Sequence, residues 1–234
     1  MFLRTAVTWV VGLPITVFLF IVVLLSLLIG RGPSGVHKIA VLWCRIILAL
    51  SGVRVRVTGA ERVPRDSTVI FLSNHSGAFD IPALQVYLPI EFRWVSKKSL
   101  FNIPLVGWAM TFAGYIGIER ENAQEAYRTM EEAVERIKSG ISVLVFPEGT
   151  RNTTDAPLLP LKRGAFMLAV KSGAQVVPVA IKGTRDIMKR GSLLIHPGQV
   201  EIAFGHPLST TDGAEKTLRT RTKTAIEEML AAGR

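Results

Sequence analysis

The chain has 234 residues, one cysteine and a formal net charge of +10, with a sequence pI of about 10.2 and a mean hydropathy of +0.35. The single Cys44 excludes an intramolecular disulfide and a metal site built on thiolates. A basic chain attracts the phosphates of nucleic acid or of anionic lipid. The basic residues are scattered and no nucleic-acid-binding motif is present, so the apolar surplus favours lipid and we expect no nucleic-acid partner.

The first feature along the chain is an uncharged apolar segment at residues 5–30, which lies between Arg4 and Arg31. A membrane-spanning helix needs about 20 apolar residues. A cleaved signal peptide has a shorter apolar core of about 7–15 residues and a small-residue cleavage site after it, and no such site follows here. The segment is therefore predicted to be a retained membrane anchor.

The next segment, residues 36–52, is apolar apart from Lys38 and Arg45, which lie seven positions apart on one helical face. This pattern predicts an amphipathic helix at the membrane interface. The alternative is a helix that packs on the core of the following domain. The basic residues that follow the anchor indicate a body on the cytoplasmic side of the membrane, and we expect that membrane to be the cell inner membrane. They are Lys38, Arg45, Arg54 and Arg56.

The rest of the chain alternates between apolar strand patterns and helical patterns. Strands are predicted at 53–59, 67–74, 92–98, 114–120, 141–149 and 174–183, with two short strands around Pro197-Gly198. Helices are predicted to begin at Asp80 and to cover 122–140, 162–173 and 212–232. This alternation predicts an α/β fold in which helices flank a mixed sheet. The predicted division is a membrane anchor at 1–52 and one domain at 53–234.

Within that order, Pro178 interrupts the strand pattern at 174–183. Proline cannot donate a hydrogen bond to a neighbouring strand and is confined to sheet edges or bulges. We therefore expect an irregularity in the sheet beside it.

The segment NHSGAFD, residues 74–80, follows a predicted buried strand. Ser76-Gly77 lets the chain turn, so that Asp80 can reach the imidazole of His75. A carboxylate on one ring nitrogen fixes the tautomer and leaves the other nitrogen as a base for a hydroxyl proton. Since Ser76 is the only other nucleophile in this segment, the pattern favours direct attack by a substrate hydroxyl. The competing interpretation is a structural histidine beside an aspartate that caps the next helix.

The segment FPEGTR, residues 146–151, follows another apolar strand. Gly149 lets the backbone approach a ligand closely, and the planar guanidinium of Arg151 suits a phosphate. Glu148 either holds Arg151 or meets a ligand hydroxyl. The competing interpretation is a surface Glu–Arg pair at the turn that ends a strand.

Three more basic residues follow apolar strands: Arg120 ends GYIGIER, and Lys97 and Lys98 lie in WVSKKSL. Each suits either a phosphate contact or an ordinary cation at a strand end. No Walker, GxGxxG, HExxH or GxSxG motif is present.

Four segments, in this order along the chain, resemble the motifs of the glycerolipid acyltransferases that carry an NHxxxxD motif. They are residues 74–80, 117–120, 146–151 and 177–179. The size and the N-terminal anchor are similar to those of the bacterial 1-acylglycerol-3-phosphate acyltransferases. One departure is Gly77, which stands where many members have Ser or Thr.

The resemblance implies a mixed α/β fold and a role for each motif. His75 would be the general base on the free 2-hydroxyl of lysophosphatidic acid, and Asp80 would orient it. The acyl donor would be a thioester of acyl carrier protein or coenzyme A, the product phosphatidic acid, and neither a metal nor another cofactor is implied. Binding of the acceptor phosphate would fall to Arg120, Glu148, Gly149, Thr150 and Arg151, with Lys97 or Lys98.

Two other functions remain open at the level of the sequence. The first is an acyltransferase for another acceptor, such as glycerol 3-phosphate, a lysophospholipid or a lyso-ornithine lipid. The second is a lipid-binding protein without catalysis, which the basic charge and the anchor alone would permit. The His75–Asp80 pattern beside a Gly/Arg phosphate segment favours the enzyme.

Overall fold

The computed structural model describes residues 2–119, 122–189, 191–211 and 214–232, which form a seven-stranded sheet with helices on both faces. The strands are β1 (Val53–Thr58), β2 (Val69–Ser73), β3 (Arg93–Lys97), β4 (Ile116–Ile118), β5 (Val143–Val145), β6 (Gln175–Lys182) and β7 (Gly198–Phe204). The α-helices are α1 (Phe2–Leu28), α2 (Pro33–Ser51), α3 (Asp80–Tyr87), α4 (Val106–Phe112), α5 (Ala123–Lys138), α6 (Arg163–Ser172), α7 (Thr184–Ile187) and α8 (Glu215–Ala231). Short 3₁₀ helices cover Ala60–Arg62 and Lys98–Asn102.

The sheet order is β1-β7-β6-β2-β5-β3-β4. Neighbours are parallel except β6 and β7, which are antiparallel. The predicted mixed α/β fold is therefore confirmed. Five adjacent strands, from β6 to β4, end at the same edge of the sheet. In open α/β sheets ligands bind outside these carboxyl ends, and the segments that carry His75 and Arg151 follow two of these strands, β2 and β5.

Two hydrophobic cores lie on opposite faces of the sheet. Phe71, Val177 and Phe204 pack on one face together with residues of α2 and α3. Ile70 and Leu72, which alternate with Phe71 along β2, point to the other face and pack with α5, α6 and α8. All of β2 is buried, as expected for a continuous apolar run in a central strand.

The two N-terminal helices are both apolar and long enough to cross a membrane. Only 22% of the most apolar window of α1 and 28% of that of α2 are buried, which indicates association with a membrane. α2 places Val36 and Leu48 in the core and leaves Lys38 and Arg45 exposed. Part of α2 therefore packs on the following domain, and its outer face stays basic. Its predicted place at the membrane interface stays a prediction.

One strand prediction and one capping prediction are wrong. Residues 192–197 form no strand, because their backbone oxygens bond to side chains of α1: Trp9 Nε1 donates to Leu193 O at 2.9 Å and Thr5 Oγ1 to Ile195 O at 3.3 Å. Asp80 does not cap α3, whose N-cap is Phe79 without a side-chain bond. The carboxylate turns instead toward the preceding loop.

The expected irregularity beside Pro178 is present in β6. Val176 pairs with Leu208, and Val179 with Phe204, so β6 advances three residues while the opposite segment advances four. This extra residue is a bulge. It lies opposite Pro178, whose carbonyl accepts a bond from Gly205 N at 2.9 Å.

Candidate active site

His75 and Asp80 meet at the carboxyl end of β2. The distance from His75 Nδ1 to Asp80 Oδ2 is 2.6 Å, and Asp80 is fully buried. The same oxygen accepts bonds from the backbone N–H groups of Ser76 at 2.7 Å and Gly77 at 2.9 Å. The turn at Ser76-Gly77 therefore fixes the carboxylate, and the carboxylate fixes the ring nitrogen Nδ1. The other ring nitrogen, Nε2, takes no part in this contact with Asp80.

The imidazole also packs on an aromatic ring. Phe146 lies parallel to His75, with ring centroids 4.0 Å apart and an angle of 7° between the planes, and Trp94 lies beyond it at 5.6 Å. The side chain of His75 remains 13% exposed. Stacking on one face and a carboxylate at Nδ1 restrict the orientation of the ring, while part of it stays open to a substrate.

Glu148 joins the two motif loops. Its Oε1 accepts a bond from His75 N at 2.6 Å and its Oε2 from Leu159 N at 2.8 Å. Burial raises the pKa of Glu148, and the bonds from Leu159 and His75 oppose that rise. Asn152 N donates to His75 O at 2.7 Å. Glu148 is therefore turned to the backbone of the first motif rather than to Arg151.

Asn74 ties the same loop to the neighbouring strand. Its side-chain Nδ2 donates to Ile181 O at 2.9 Å, and its Oδ1 accepts from Ile181 N at 2.8 Å. Both ends of the amide are thus satisfied by β6. The asparagine of the first motif fixes where β2 ends, and so where His75 begins.

Thr184 is a site residue that the sequence analysis missed. It is fully buried, its hydroxyl donates to Asp80 Oδ1, and it lies 3.1 Å from Ser76 Oγ. The only available signal was its position just after the apolar strand β6. Ser76 is therefore bonded to Thr184 and not to the imidazole, and no serine of the described residues hydrogen-bonds to His75.

The structure also explains the departure at Gly77. A Cβ atom there would come within 2.6 Å of the backbone carbonyl carbon and oxygen of Thr184, and within 2.9 Å of its hydroxyl oxygen. A larger residue at 77 would displace Thr184 from Asp80. In this chain the hydroxyl beside the dyad comes from Thr184, and the glycine leaves room for it.

The predicted phosphate residues fall into separate places. Arg151 lines a cleft of about 400 Å³ beside residues 76–78. Lys98 bonds to Glu125 at 2.7 Å, and Lys97 ends β3; neither lines that cleft. Thr150 is exposed. Arg120 lies outside the described residues.

The loop at Gly149 has the conformation that favours glycine. Its φ is +70°, and a Cβ would lie 3.0 Å from the Lys162 side chain. The expected ligand contact of Gly149 stays a prediction. Among the described residues no group of three or more His, Cys, Asp or Glu could hold a metal ion.

The chain is similar in sequence to known proteins. The family model described as "Acyltransferase" matches residues 54–182, more than half of the chain. Two chloroplast proteins named 1-acyl-sn-glycerol-3-phosphate acyltransferase, from Brassica napus and Arabidopsis thaliana, are each 35% identical over 174 residues. These matches cover 74% of this chain but 50% and 48% of the relatives, so the chain spans about half the length of the curated relatives it matches.

A solved structure matches nearly the whole chain. The crystal structure of the 1-acyl-sn-glycerophosphate (LPA) acyltransferase from Thermotoga maritima is 26% identical, with a TM-score of 0.85, and the match covers 99% of this chain and 95% of that one. The N-terminal helices are therefore included in the likeness. By its sequence and its fold, the chain belongs to the acyltransferase family.

Proposed function

We propose that the protein transfers an acyl chain from an acyl thioester to the free 2-hydroxyl of lysophosphatidic acid and so makes phosphatidic acid. The observation that carries this proposal is the imidazole of His75. Its Nδ1 is held by buried Asp80 at 2.6 Å, its Nε2 is left over, and no serine of the described chain bonds to it. This is the arrangement of a base that acts on a substrate hydroxyl.

In the proposed reaction His75 Nε2 takes the proton of the acceptor hydroxyl as the oxygen forms a bond to the thioester carbonyl carbon. The tetrahedral intermediate then breaks its carbon–sulfur bond. The leaving thiolate takes the proton back from the imidazolium, so the enzyme returns to its starting state. Asp80 stabilises the transient imidazolium and keeps it oriented.

The relatives support the choice of acceptor, since proteins from plants, mouse and a bacterium that match this chain are named for 1-acyl-sn-glycerol-3-phosphate. A phosphate needs cations near the dyad, and Arg151 lines the cleft beside residues 76–78. Glu148 and Gly149 shape the loop that carries Arg151. We keep Arg120, Thr150, Lys97 and Lys98 as predicted contacts of the acceptor.

The donor would be an acyl carrier protein or coenzyme A thioester. Both donors are anionic, and the chain carries a net charge of +10, which favours their encounter with it. We expect the chain to act without a metal or another cofactor. We propose that the body lies on the cytoplasmic side of the inner membrane, and the basic residues after α1 support that side. There α1 and α2 would let both substrates enter without transfer of their acyl chains into water.

The proposal is tested with the purified, detergent-solubilised protein. With lysophosphatidic acid and an acyl-carrier-protein or acyl-coenzyme A donor, phosphatidic acid should form. His75→Ala should lower kcat by about 10²–10⁴-fold, because general-base catalysis contributes that much. His206→Ala, at an exposed position, is the matched control and should keep full activity. Turnover by His75→Ala equal to the wild type would contradict the assigned base.

A second variant tests the class of acceptor. Arg151→Ala should raise the KM for lysophosphatidic acid by about tenfold or more, since a charge-assisted contact to phosphate is lost. Full activity of this variant on lysophosphatidic acid would show that Arg151 does not recognise the phosphate.

A further inference from the structure

We propose that Arg185 and Lys189 join Arg151 to form the subsite for the phosphate of the acceptor, and that this subsite selects a phosphate monoester over a diester. The inference rests on the proposed function and names residues of the same site. Both residues lie beyond 54–182, the part of the chain that the family model matches, and no sequence motif pointed to them.

The first observation that supports this subsite is the net charge of the cleft lining. Its lining includes three cations, Arg151, Arg185 and Lys189, and a single carboxylate, Asp186, so the lining has a surplus of two positive charges. Among the described residues neither Arg151 nor Lys189 has an ion-pair partner. Arg185 has only Asp155 at 3.9 Å, which is too long for a close pair. A cleft with cations that are not neutralised by the protein favours an anion.

The second observation is the position of the cleft relative to His75 and Asp80. Ser76 and Gly77 line it, and both donate backbone bonds to Asp80. Arg185 follows Thr184, whose hydroxyl also bonds to Asp80. The cleft therefore lies beside the loop that holds the dyad, although neither His75 nor Asp80 lines it. An anion bound there would contact Ser76, the residue that directly follows His75.

The distance between the reacting atom and the phosphorus differs between the acceptor and the donor, and it indicates whose phosphate would bind in the cleft. In lysophosphatidic acid four bonds separate the 2-hydroxyl oxygen from the phosphorus. The two atoms are at most about 5 Å apart, because bonds of about 1.5 Å meet at angles. In a phosphopantetheine thioester more than ten bonds separate the sulfur from the nearest phosphorus. An anion site at the loop of the proposed base therefore matches the acceptor better than the donor, whose phosphate would lie farther out.

The number of cations indicates the charge of the ligand. A phosphate monoester carries about −1.5 to −2 at neutral pH, whereas the diester of a larger headgroup carries about −1. Three cations against one carboxylate match the monoester better. Lysophospholipids with a diester headgroup should therefore be poor acceptors.

Binding can be measured without turnover, using glycerol 3-phosphate as a soluble monoester probe. A ligand of the folded state raises Tm. We expect glycerol 3-phosphate to raise the Tm of the full-length wild type in detergent, and glycerophosphocholine to raise it less. The shift should be lost or reduced in Arg185→Gln and in Lys189→Gln. Lys216→Gln removes one exposed charge from α8 and should keep the wild-type shift. Equal shifts in all four proteins, or no shift in the wild type, would overturn the subsite.

Kinetic measurements show whether the cleft binds the phosphate of the acceptor or that of the donor. Arg185→Gln should raise the KM for lysophosphatidic acid by about tenfold, the usual loss for a hydrogen bond to a charged group, and leave the KM for the donor unchanged. A rise in the donor KM alone would assign the cleft to the donor phosphate and overturn the inference. If the wild type shows no turnover at all, the proposed function fails, whereas the Tm measurement still tests the cleft.

Discussion

At the scale of single residues, the orientation of the proposed base depends on neighbouring side chains that do not themselves bond to the substrate in the proposed reaction. Asp80 Oδ2 accepts three bonds from the loop before it, and its other oxygen accepts one from Thr184. Glu148 holds the backbone of His75. The orientation of one imidazole is therefore set by several buried contacts, each of which a single substitution can remove.

Thr184→Val should lower kcat by about tenfold while the KM for the acceptor changes little. The variant keeps the shape of the side chain but removes the hydroxyl, so Asp80 Oδ1 loses its donor; losing a buried partner costs about 1–3 kcal/mol. Thr184→Ser restores the hydroxyl and should restore kcat. Wild-type kcat in the valine variant would show that Thr184 only fills space.

Glu148→Gln should change how stability depends on pH. Because burial raises the pKa of Glu148 above its ordinary value of 4.5, the folded state binds more protons than the unfolded state in the range between the two values. Its contribution to stability therefore falls as pH rises through that range. Glutamine cannot titrate, so Tm measured across pH 4.5 and above should decline less steeply in the variant. An unchanged slope would contradict this source of the pH dependence.

Glu148→Gln should also lower Tm above the pKa of Glu148, where the wild-type side chain is a carboxylate. The amide has one acceptor oxygen where the carboxylate offers two, so either His75 N or Leu159 N loses its partner. Glu227→Gln changes a partly exposed glutamate on α8 and is the matched control.

At the scale of elements, a buried polar network joins α2 to the sheet. Gln85 Oε1 accepts bonds from Trp94 Nε1 at 2.6 Å and from Tyr115 OH at 3.2 Å. His37, from α2, lies 3.2 Å from the same tyrosine hydroxyl. Trp94 in turn contacts Phe146, which stacks on His75. One glutamine of α3 therefore links an N-terminal helix to the packing behind the base.

Gln85→Leu should destabilise the fold by about 2–4 kcal/mol, because Trp94 Nε1 and Tyr115 OH lose a buried acceptor. For a chain of this length that lowers Tm by roughly 5 °C or more. Gln175→Leu, at an exposed position of β6, should change Tm little and serves as the control. Equal Tm values for the two variants would show that the network contributes nothing to stability.

At the scale of the whole molecule, α1 has two sides with different roles. Leu19 and Val23 are buried against the rest of the protein. Its remaining surface carries exposed apolar side chains that water does not favour. Phe18, Leu25 and Leu28 are among them.

Replacing Phe18, Leu25 and Leu28 together by Asn should weaken sedimentation with anionic phospholipid vesicles and leave Tm in detergent nearly unchanged. Each apolar side chain that leaves the bilayer costs about 1.5–3 kcal/mol of binding. Leu19→Asn is the matched contrast: Leu19 is 7% exposed where Leu25 is 55% exposed, so this variant should lower Tm instead. Undiminished vesicle binding by the triple variant would show that another surface of the protein binds the membrane.

Several features could be predicted from the sequence because they depend on local patterns. The continuous apolar run of β2, the Asn122 cap of α5, which accepts a bond from Glu125 N, and the apolar length of α1 each follow from the order of residues. The pairing of His75 with Asp80 also follows, since five positions and a Ser-Gly turn separate them. The division at residue 52 and the roles of the phosphate residues stay predictions.

Other features are decided only by contacts between distant parts of the chain. Thr184 meets Asp80 across 104 positions, and Arg185 and Lys189 reach Arg151 because β6 and β5 lie on either side of β2. Residues 192–197 read as a strand but bond to α1 instead. Local sequence sets which backbone and side-chain groups can bond, whereas strand order and helix packing decide which groups meet; the dyad belongs to the first kind, and the cleft beside it to the second.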